Sequence, residues 1–155
     1  MGKNKKISKM DVEFYKMLRE DASSFLKRCG KKYDKGGVLL DIAPQIHEGA
    51  RPYFKKTKVV TLDIDPNSKA TYIADICKNN QAMISDEDFD FIVCTEVLEH
   101  VDNPFAAIKE IYRMLKRKGL LFCATPFNFR IHGPLPDYWR FTEHSLRLLL
   151  RDFEI

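Results

Sequence analysis

The chain has 155 residues, of which 45% are hydrophobic and 31% are charged, and its net charge is +4. This length suits one globular domain, and the basic surplus, much of it in residues 3–6, is too small and scattered to predict nucleic-acid binding. No apolar run reaches the ~18 residues that span a bilayer, and no secretory signal is visible, so we expect a cytoplasmic protein with no membrane partner.

A first helix is predicted over residues 9–29, where apolar side chains recur at helical spacing. Ser8 and Asp11 resemble a capping box at its start, and Gly30 is expected to end it. The helix would pack against a sheet or over its ligand-binding edge. We therefore divide the single domain, 1–155, into a basic tail with a helix, 1–35, and a core, 36–155.

Three short strands open the predicted core. They cover residues 38–42, 59–63 and 72–74, and each has an acidic residue at or next to its end. A short helix is expected near residues 50–55, between the first and second strands.

A strand–helix–strand unit follows, with a strand over 89–94, a helix and a strand over 120–124. Asp102 and Asn103 offer an N-cap and Pro104 suits the first helical position, while Gly119 is expected to end the helix. Such a unit is right-handed and places ligands at the carboxyl ends of its parallel strands. The predicted fold class is α/β, a Rossmann-like, doubly wound, mostly parallel sheet with helices on both faces.

The remaining residues predict a long loop and a last helix. The loop, 127–141, is rich in aromatic residues, glycine and proline, and loops of this length are usually functional. Its segment 138–141 would either stack on a planar substrate or dock the loop onto the sheet. Thr142 is expected to cap a helix over 143–151, and 153–155 to begin a further strand. The sheet edge would then be shortened and exposed, which predicts a homo-oligomer formed through that edge.

The four cysteines have no spacing typical of a metal or disulfide site. Cys29, Cys77, Cys94 and Cys123 lack a CxxC pair, and two of them lie in predicted strands. They are expected to be free thiols in a reducing compartment, and we predict no metal site.

Acidic residues stand at the ends of the first three predicted strands. Asp41 ends the first strand, Asp63 ends the second and Asp75 follows the third. An acid after the second strand can accept hydrogen bonds from a ribose diol, and one after the third can reach an adenine amino group. Each alone is more simply a turn or cap residue, but the three together favour a site for an adenosine-bearing cofactor.

Five segments carry a family resemblance: VLLDIAP, VVTLDIDP, YIADI, FDFIVCTEVLEHVDNPFAAIKEIYRMLKRKGLLFCATP and DYWRFTEHSLRLLL. Over residues 36–155 the chain resembles class I S-adenosylmethionine-dependent methyltransferases of the methyltransferase-11 type. The most specific part is EVLEHV with the helix that follows it. The resemblance implies a Rossmann-like fold with S-adenosylmethionine as the cofactor.

The resemblance also implies which residues meet that cofactor. Asp63 would bind the ribose hydroxyls, and Asp75 with the backbone of Ile76 would hold the adenine. Thr95 and Glu96 would line the methionine side. The complete implied cofactor set is Asp41, Ala43, Asp63, Ile64, Asp75, Ile76, Thr95 and Glu96.

One segment departs from the family pattern. The family carries a glycine-rich loop after the first strand's acid, whereas this chain has Ala43, Gln45 and His47 at those positions, with Pro44 among them. The glycines let the backbone approach the methionine end of the cofactor closely. The loop therefore either binds the cofactor by a different path or marks a site that no longer binds it.

The implied reaction is methyl transfer to an O, N or C nucleophile of a small-molecule or glycan-type acceptor, which needs in-line positioning and can use a base. The candidate bases are His132, His100 near the substrate entrance, and Asp137. His132 has an alternative role as a structural residue of its own loop. Glu96 and Glu99 form a pair within one turn, but Glu99 could equally cap the next helix.

Two other functions stay open. A catalytically silent methyltransferase-like domain that serves as a binding or interaction module is the main alternative, because the first loop is altered. A nicotinamide-dependent oxidoreductase also uses an acid after the second strand, but no GxGxxG motif or Tyr-x-x-x-Lys pair supports it.

Overall fold

The computed structural model describes residues 9–44, 48–133 and 136–155. Its elements are α1 (Lys9–Tyr33), β1 (Val38–Ile42), β2 (Lys58–Asp63), β3 (Tyr72–Ile73), β4 (Phe89–Thr95), α2 (Pro104–Met114), β5 (Leu115–Ala124) and α3 (Glu143–Leu149). The five strands form a parallel sheet in the order β3-β2-β1-β4-β5. The predicted α/β class and parallel sheet are confirmed. The predicted capping residue Ser8 lies outside the described residues.

Side chains alternate between the two faces of the sheet, as the pleat of a strand requires. One face packs beneath α1 in a buried cluster of Leu26, Cys29, Leu39, Ala50, Phe54, Val93 and Phe122. The opposite face packs against α2 and α3 in a larger cluster that includes Leu40, Ile92, Ile108, Ile111 and Leu149. The sheet is therefore covered by helices on both faces, as the sequence predicted.

The order of the strands reverses at β1. This strand pairs with β2 on one side and with β4 on the other, in parallel register on both. In open parallel sheets, ligands bind in the crevice outside the carboxyl ends of the strands at such a point. The topology therefore predicts a ligand site among the residues that follow β1, β2, β3 and β4.

The first helix is longer than the sequence predicted. It continues through Gly30, which was expected to end it, and stops at Tyr33 after 25 residues. A Cβ at Gly30 would overlap the carbonyl oxygen of Tyr53, so the glycine serves close packing rather than termination. The predicted helix over 50–55 is a single turn, in which the Phe54 N–H donates to the Ala50 carbonyl. No helix of the described residues has the length and apolar character to cross a membrane.

The end of α2 was also predicted wrongly. The helix ends at Met114 rather than at Gly119, because the buried Leu115 is already extended and pairs with Phe89 as the first residue of β5. The next pair in the ladder joins Phe91 to Leu120. The basic residues between them therefore form an irregularity in the strand and not the last turn of a helix.

Of the three caps expected from the sequence, the two that lie within the described residues, Asn103 and Thr142, are present. The Asn103 side chain accepts a 3.0 Å hydrogen bond from the Ala106 N–H, and Thr142 accepts one of 3.2 Å from the Ser145 N–H. α3 begins as predicted and ends at Leu149.

Residues 153–155 do not form the predicted strand. Phe153 turns toward α2, where its ring meets Tyr112 edge-on with a centroid separation of 5.1 Å. Within the described residues the sheet ends at β5 on this side. The oligomer contact predicted at 153–155 therefore lacks the strand edge on which it depended.

Candidate functional site

A cavity of about 790 Å³ opens at the carboxyl ends of β1, β2, β3 and β4. This volume is typical of sites for small molecules and cofactors. α1 contributes part of the wall through Arg19 and Ser23, and the loop after β5 contributes His132 and Tyr138. Residues from several parts of the chain thus meet at the edge of the sheet to which the strand order points.

The end of β1 is built tightly around the buried Asp41. Its Oδ2 accepts a 2.7 Å hydrogen bond from the Ala50 N–H, and a Cβ on Gly49 would overlap the same oxygen. Ala43 has a φ of 50°, in the region that favours glycine. Burial raises the pKa of Asp41 to about 6, while the Ala50 hydrogen bond and the Arg51 charge oppose the shift. Gly49 and Ala50 therefore pack directly onto this carboxylate.

Carboxylates at the ends of β2 and β3 are held by their own turns. Asp63 Oδ1 accepts a 2.9 Å hydrogen bond from the Asp65 N–H, and Asp75 Oδ1 accepts one of 2.8 Å from the Cys77 N–H. Both residues line the cavity, and within the described chain their Oδ2 atoms accept no hydrogen bond. These are the turn roles that the sequence allowed, and they leave one oxygen of each carboxylate for a ligand.

The wall of the cavity is acidic. Besides histidines, its described charged residues are one arginine and six carboxylates: Arg19, Asp41, Glu48, Asp63, Asp75, Glu96 and Asp102. A wall of this kind attracts cations and hydrogen-bond donors and repels phosphate groups.

The residue after β4, Glu96, joins this strand to α1. It has a φ of 57°, and its Oε2 forms a 2.9 Å salt bridge with Nη1 of Arg19. Its Oε1 is buried and has no hydrogen-bond partner in the described part of the chain. Burial raises the pKa of Glu96, whereas the charges of Arg19 and His100 lower it.

Glu99 is fully buried, and among the described residues neither of its carboxylate oxygens has a hydrogen-bond partner. Burial raises its pKa to about 7, and the charges of Glu96 and Asp137 add to that rise, while its own backbone N–H and the charge of Arg140 oppose it. Glu99 does not cap α2, because Asn103 does so. Burying a polar group without a partner costs about 2–7 kcal/mol, so Glu99 destabilises the fold unless a ligand pairs with it.

His100 and His132 meet beside Glu99. Their ring centroids are 5.0 Å apart, and both residues line the cavity. Nδ1 of His100 lies 3.0 Å from the carbonyl oxygen of Pro136, which can only accept, so Nδ1 carries a proton. Nε2 of the same ring lies 3.8 Å from Oε1 of Glu99. One ligand atom from each of Glu99, His100 and His132 lies within 4.8 Å of the other two.

Asp137 lies behind His132 and is not one of the residues that line the cavity. Its Oδ2 accepts a 2.9 Å hydrogen bond from the His132 N–H and lies 3.1 Å from Nδ1 of the same residue. Arg140 donates to both carboxylate oxygens and holds the pKa of Asp137 well below its usual range. Burial lowers the pKa of His132. Asp137 therefore fixes His132 in place and does not face a ligand itself.

The aromatic loop after β5 is docked on the end of β4. The backbone N–H of Tyr138 donates to the carbonyl of Glu99 at 2.7 Å, and Nε1 of Trp139 donates to the carbonyl of Val101 at 2.8 Å. The Trp139 ring stacks on Phe141, with centroids 6.3 Å apart. Trp139 thus has the docking role, whereas Tyr138 faces the cavity.

The structure brings the sequence-predicted residues together with few exceptions. All predicted cofactor residues line the cavity, namely Asp41, Ala43, Asp63, Ile64, Asp75, Ile76, Thr95 and Glu96. Of the three candidate bases, His100 and His132 line it and Asp137 does not. Gln45 and His47, the substitutions in the first loop, lie outside the described residues.

Two residues of the site were missed or misread from the sequence. Arg19 lies on α1, far from Glu96 in the chain, and no local spacing signals that the two side chains pair. Glu99 follows the buried residues Val97 and Leu98, which indicated burial, but its lack of partners depends on the fold around it.

A family model described as a methyltransferase domain matches residues 14–153. A ubiquinone biosynthesis O-methyltransferase from Glaesserella parasuis is 54% identical over 39 residues, which are 25% of this chain and 16% of that protein. The chain therefore spans only a small part of the curated relatives that it matches.

Solved structures resemble the fold over most of the chain. An S-adenosylmethionine-dependent methyltransferase from Methanosarcina mazei matches with a TM-score of 0.59 and 20% identity, over 76% of this chain and 79% of that one. Phosphoethanolamine N-methyltransferase 2 from Haemonchus contortus, solved with S-adenosylmethionine, matches with a TM-score of 0.64 and 18% identity, over 86% and 36%. At these identities the likeness concerns the fold.

Proposed function

Because the chain belongs to the family of methyltransferase domains, we propose that it binds S-adenosylmethionine and transfers the methyl group to a small-molecule or glycan-type acceptor. The observation that carries this proposal is that the acids at the ends of β1, β2 and β3 line one cavity. These positions suit the methionine, ribose and adenine parts of the cofactor in that order.

Each part of the cofactor has a partner in this proposal. Asp63 accepts hydrogen bonds from the ribose hydroxyls through the oxygen that its own turn leaves unused. Asp75 and the backbone of Ile76 hold the adenine, and Ile64, which is 66% exposed, offers the ring an apolar surface. Ala43 takes the positive φ that a glycine of the family loop would take, which supports a cofactor path close to the backbone.

The charge of the cavity supports a sulfonium cofactor over a dinucleotide. Six carboxylates face one arginine among the described charged residues of the wall, histidines aside. A sulfonium, an ammonium and an adenine amino group suit such a wall, whereas the pyrophosphate of a nicotinamide dinucleotide would be repelled.

The proposed chemistry requires little beyond positioning. A lone pair of the acceptor attacks the methyl carbon in line, the carbon–sulfur bond breaks, and its electrons stay on sulfur to give neutral S-adenosylhomocysteine. The proton of the acceptor leaves to a base or to water. His100 and His132 face the end of the cavity beside β4 and are the groups that meet the acceptor, while Asp137 positions His132.

The test is calorimetric titration with S-adenosylhomocysteine of the wild type, Asp63→Asn and Asp65→Asn. The Asp63→Asn side chain keeps an acceptor for the Asp65 N–H, so the turn stays intact while the charge and one acceptor are lost. We expect Asp63→Asn to weaken binding by roughly tenfold or more, as for a lost charge-assisted hydrogen bond. Asp65, which is exposed and does not line the cavity, is the matched control and should bind like the wild type.

Absence of binding to a folded wild-type chain would contradict the proposal. The altered first loop, with Gln45 and His47 in place of glycines, would then mark a closed cofactor site. The chain would be a catalytically silent domain, and its partners would be sought among other macromolecules.

A further inference from the structure

We propose that Glu99, His100 and His132 bind a divalent metal cation at the end of the cavity next to β4. The three side chains come from the turn after β4 and from the loop after β5, and the fold brings one ligand atom of each within 4.8 Å of the others. Two imidazoles and one carboxylate form a ligand set that proteins use for zinc and for other first-row metals with open coordination positions.

The unpaired carboxylate of Glu99 is the main argument. Two neighbouring acids each have an arginine, since Arg19 pairs with Glu96 and Arg140 pairs with Asp137. Glu99 is fully buried, and within the described residues its carboxylate has no hydrogen-bond partner and no salt bridge to lysine or arginine. The nearby Arg140 gives its hydrogen bonds to Asp137. A cation between Glu99 and the two histidines would give this carboxylate the partner that burial requires.

The surroundings of the histidines also suit a cation. Histidines that bind metals usually give their other ring N–H to a carbonyl or carboxylate. His100 does so through Nδ1 to the Pro136 carbonyl at 3.0 Å, which leaves Nε2, on the side of Glu99, as a ligand. The backbone N–H of His132 donates to Asp137, and its Nδ1 lies 3.1 Å from the same carboxylate oxygen but forms no hydrogen bond among the described residues.

Only small movements would complete the site. Ligand atoms bound at about 2.1 Å in tetrahedral geometry lie about 3.4 Å apart, so atoms that now lie within 4.8 Å of one another would approach by at most about 1.4 Å. Glu99 lies behind the two histidines, which line the cavity. The remaining coordination positions therefore face the space where the acceptor would lie.

The cation also indicates the class of acceptor, an inference that rests on the proposed methyl transfer. A hydroxyl bound to a divalent cation loses its proton to water more readily than a free one. The hydroxyl oxygen, once deprotonated beside a cation held by Glu99, His100 and His132, would attack the methyl carbon, and the carbon–sulfur bond would break with its electrons on sulfur. An acceptor that offers a hydroxyl group to the metal fits this site better than an amine, which is protonated in water.

The test is titration of the chelator-treated full chain, purified without a histidine tag, with Co²⁺ followed by visible absorption. We expect one Co²⁺ per chain. His100→Ala, His132→Ala and Glu99→Gln should each weaken binding by roughly 100-fold or more, since each removes a ligand, and Asp137→Asn by about 10- to 100-fold. His144→Ala, on the exposed face of α3, is the matched control and should leave binding unchanged.

Folding of each variant is checked by circular dichroism, and S-adenosylhomocysteine binding is measured in parallel without metal. Absence of a Co²⁺ spectrum at millimolar metal, or equal binding by wild type and a folded His132→Ala variant, would overturn the cation site. Cofactor binding without Co²⁺ binding would leave the proposed methyl transfer intact. Co²⁺ binding without cofactor binding would overturn the methyl transfer alone.

Discussion

The carboxylates in the two halves of the cavity differ in their hydrogen-bond partners. In the cofactor half, formed by the ends of β1, β2 and β3, Asp41, Asp63 and Asp75 each accept a backbone hydrogen bond from a residue close in the chain. In the acceptor half, formed by the residues after β4 and the loop after β5, Glu96 has one unpaired buried oxygen and Glu99 has two, among the described residues.

This difference separates two ways to prepare a binding site. Local backbone bonds fix a carboxylate before any ligand arrives, so the cofactor half folds into its binding geometry with a hydrogen-bond partner for each of its three carboxylates. In the acceptor half, polar groups are buried without partners, and folding alone leaves their desolvation uncompensated. A ligand in that half would therefore stabilise the fold as well as bind to it.

Gly49→Ala should have the largest effect on stability, because it disrupts the tight packing around Asp41 in the cofactor half. Gly49 has a φ of 57°, and a Cβ there would overlap Oδ2 of Asp41 and lie 2.8 Å from the Pro44 Cβ. We expect the free energy of unfolding in urea to fall by about 3 kcal/mol or more. Gly36→Ala is the control, since its φ is 99° but the nearest atom to a new Cβ is 4.0 Å away; it should cost only about 1–2 kcal/mol. Equal losses would show that the packing around Asp41 is loose.

The second prediction concerns the pH dependence that Asp41 gives to folding. Its pKa in the folded chain is about 6, above the ordinary 3.8, so folding takes up a proton between these values. The wild type should therefore gain stability relative to Asp41→Asn as the pH falls from above 6 toward 4, by at most on the order of 3 kcal/mol. Unfolding in urea at several pH values measures the difference in stability between the wild type and Asp41→Asn. The titration of Glu99 cancels in this difference because both proteins contain that residue. A flat difference, or a gain as the pH rises, would contradict the burial of this carboxylate.

The third prediction tests the two halves against each other by removing one buried carboxylate from each. In metal-free protein, Glu99→Met should raise the free energy of unfolding by about 1–2 kcal/mol, because an unpaired polar group is replaced by an apolar one of similar size. Asp63→Leu should lower it by about 1 kcal/mol, because the Asp65 N–H loses its acceptor. Chemical unfolding with a chelator present measures both. Effects of the same sign would remove the distinction between the two halves.

Much of the fold could be predicted because its signals are local. The apolar run at 38–42 gave the bounds of β1, and Asn103 and Thr142 gave the starts of α2 and α3, since a cap acts on residues next to it. The predicted ends of α1 and α2 were wrong, because where these helices end depends on contacts with residues distant in the chain. Gly30 continues α1 in order to pack on Tyr53, and Leu115 leaves the helix in order to pair with Phe89.

The site shows the same division. Residues at the ends of parallel strands meet by topology alone, so Asp41, Asp63 and Asp75 could be placed in one cavity from the sequence. The lack of hydrogen-bond partners for the Glu99 carboxylate could not be predicted, because it requires that no surrounding element places a donor near it. Arg19 could not be placed either, since helical periodicity fixes a face of α1 and not the strand end that it meets.

The smallest expected effect is at the contact between α1 and the acceptor half. Arg19 and Glu96 form a 2.9 Å salt bridge in which the arginine side chain is 35% exposed and the glutamate side chain 11%. Arg19→Ala should therefore cost about 1 kcal/mol of stability, since the exposed arginine contributes little but Glu96 is left without its cation. The loss should shrink further in high salt, because a partly exposed pair is screened. Lys16→Ala removes an exposed pair on the same helix, 3.9 Å from Glu20, and should have no measurable effect.

The same contact should have a larger effect on ligand exchange than on stability. α1 forms part of the cavity wall, and the salt bridge from Arg19 to Glu96 joins this helix to the residue after β4. If S-adenosylhomocysteine binds as proposed, its dissociation rate should rise several-fold in Arg19→Ala and stay unchanged in Lys16→Ala, as stopped-flow displacement would measure. A loss of stability well above 1 kcal/mol with no change in that rate would mean that the pair fastens the helix to the sheet and has no part in closing the cavity.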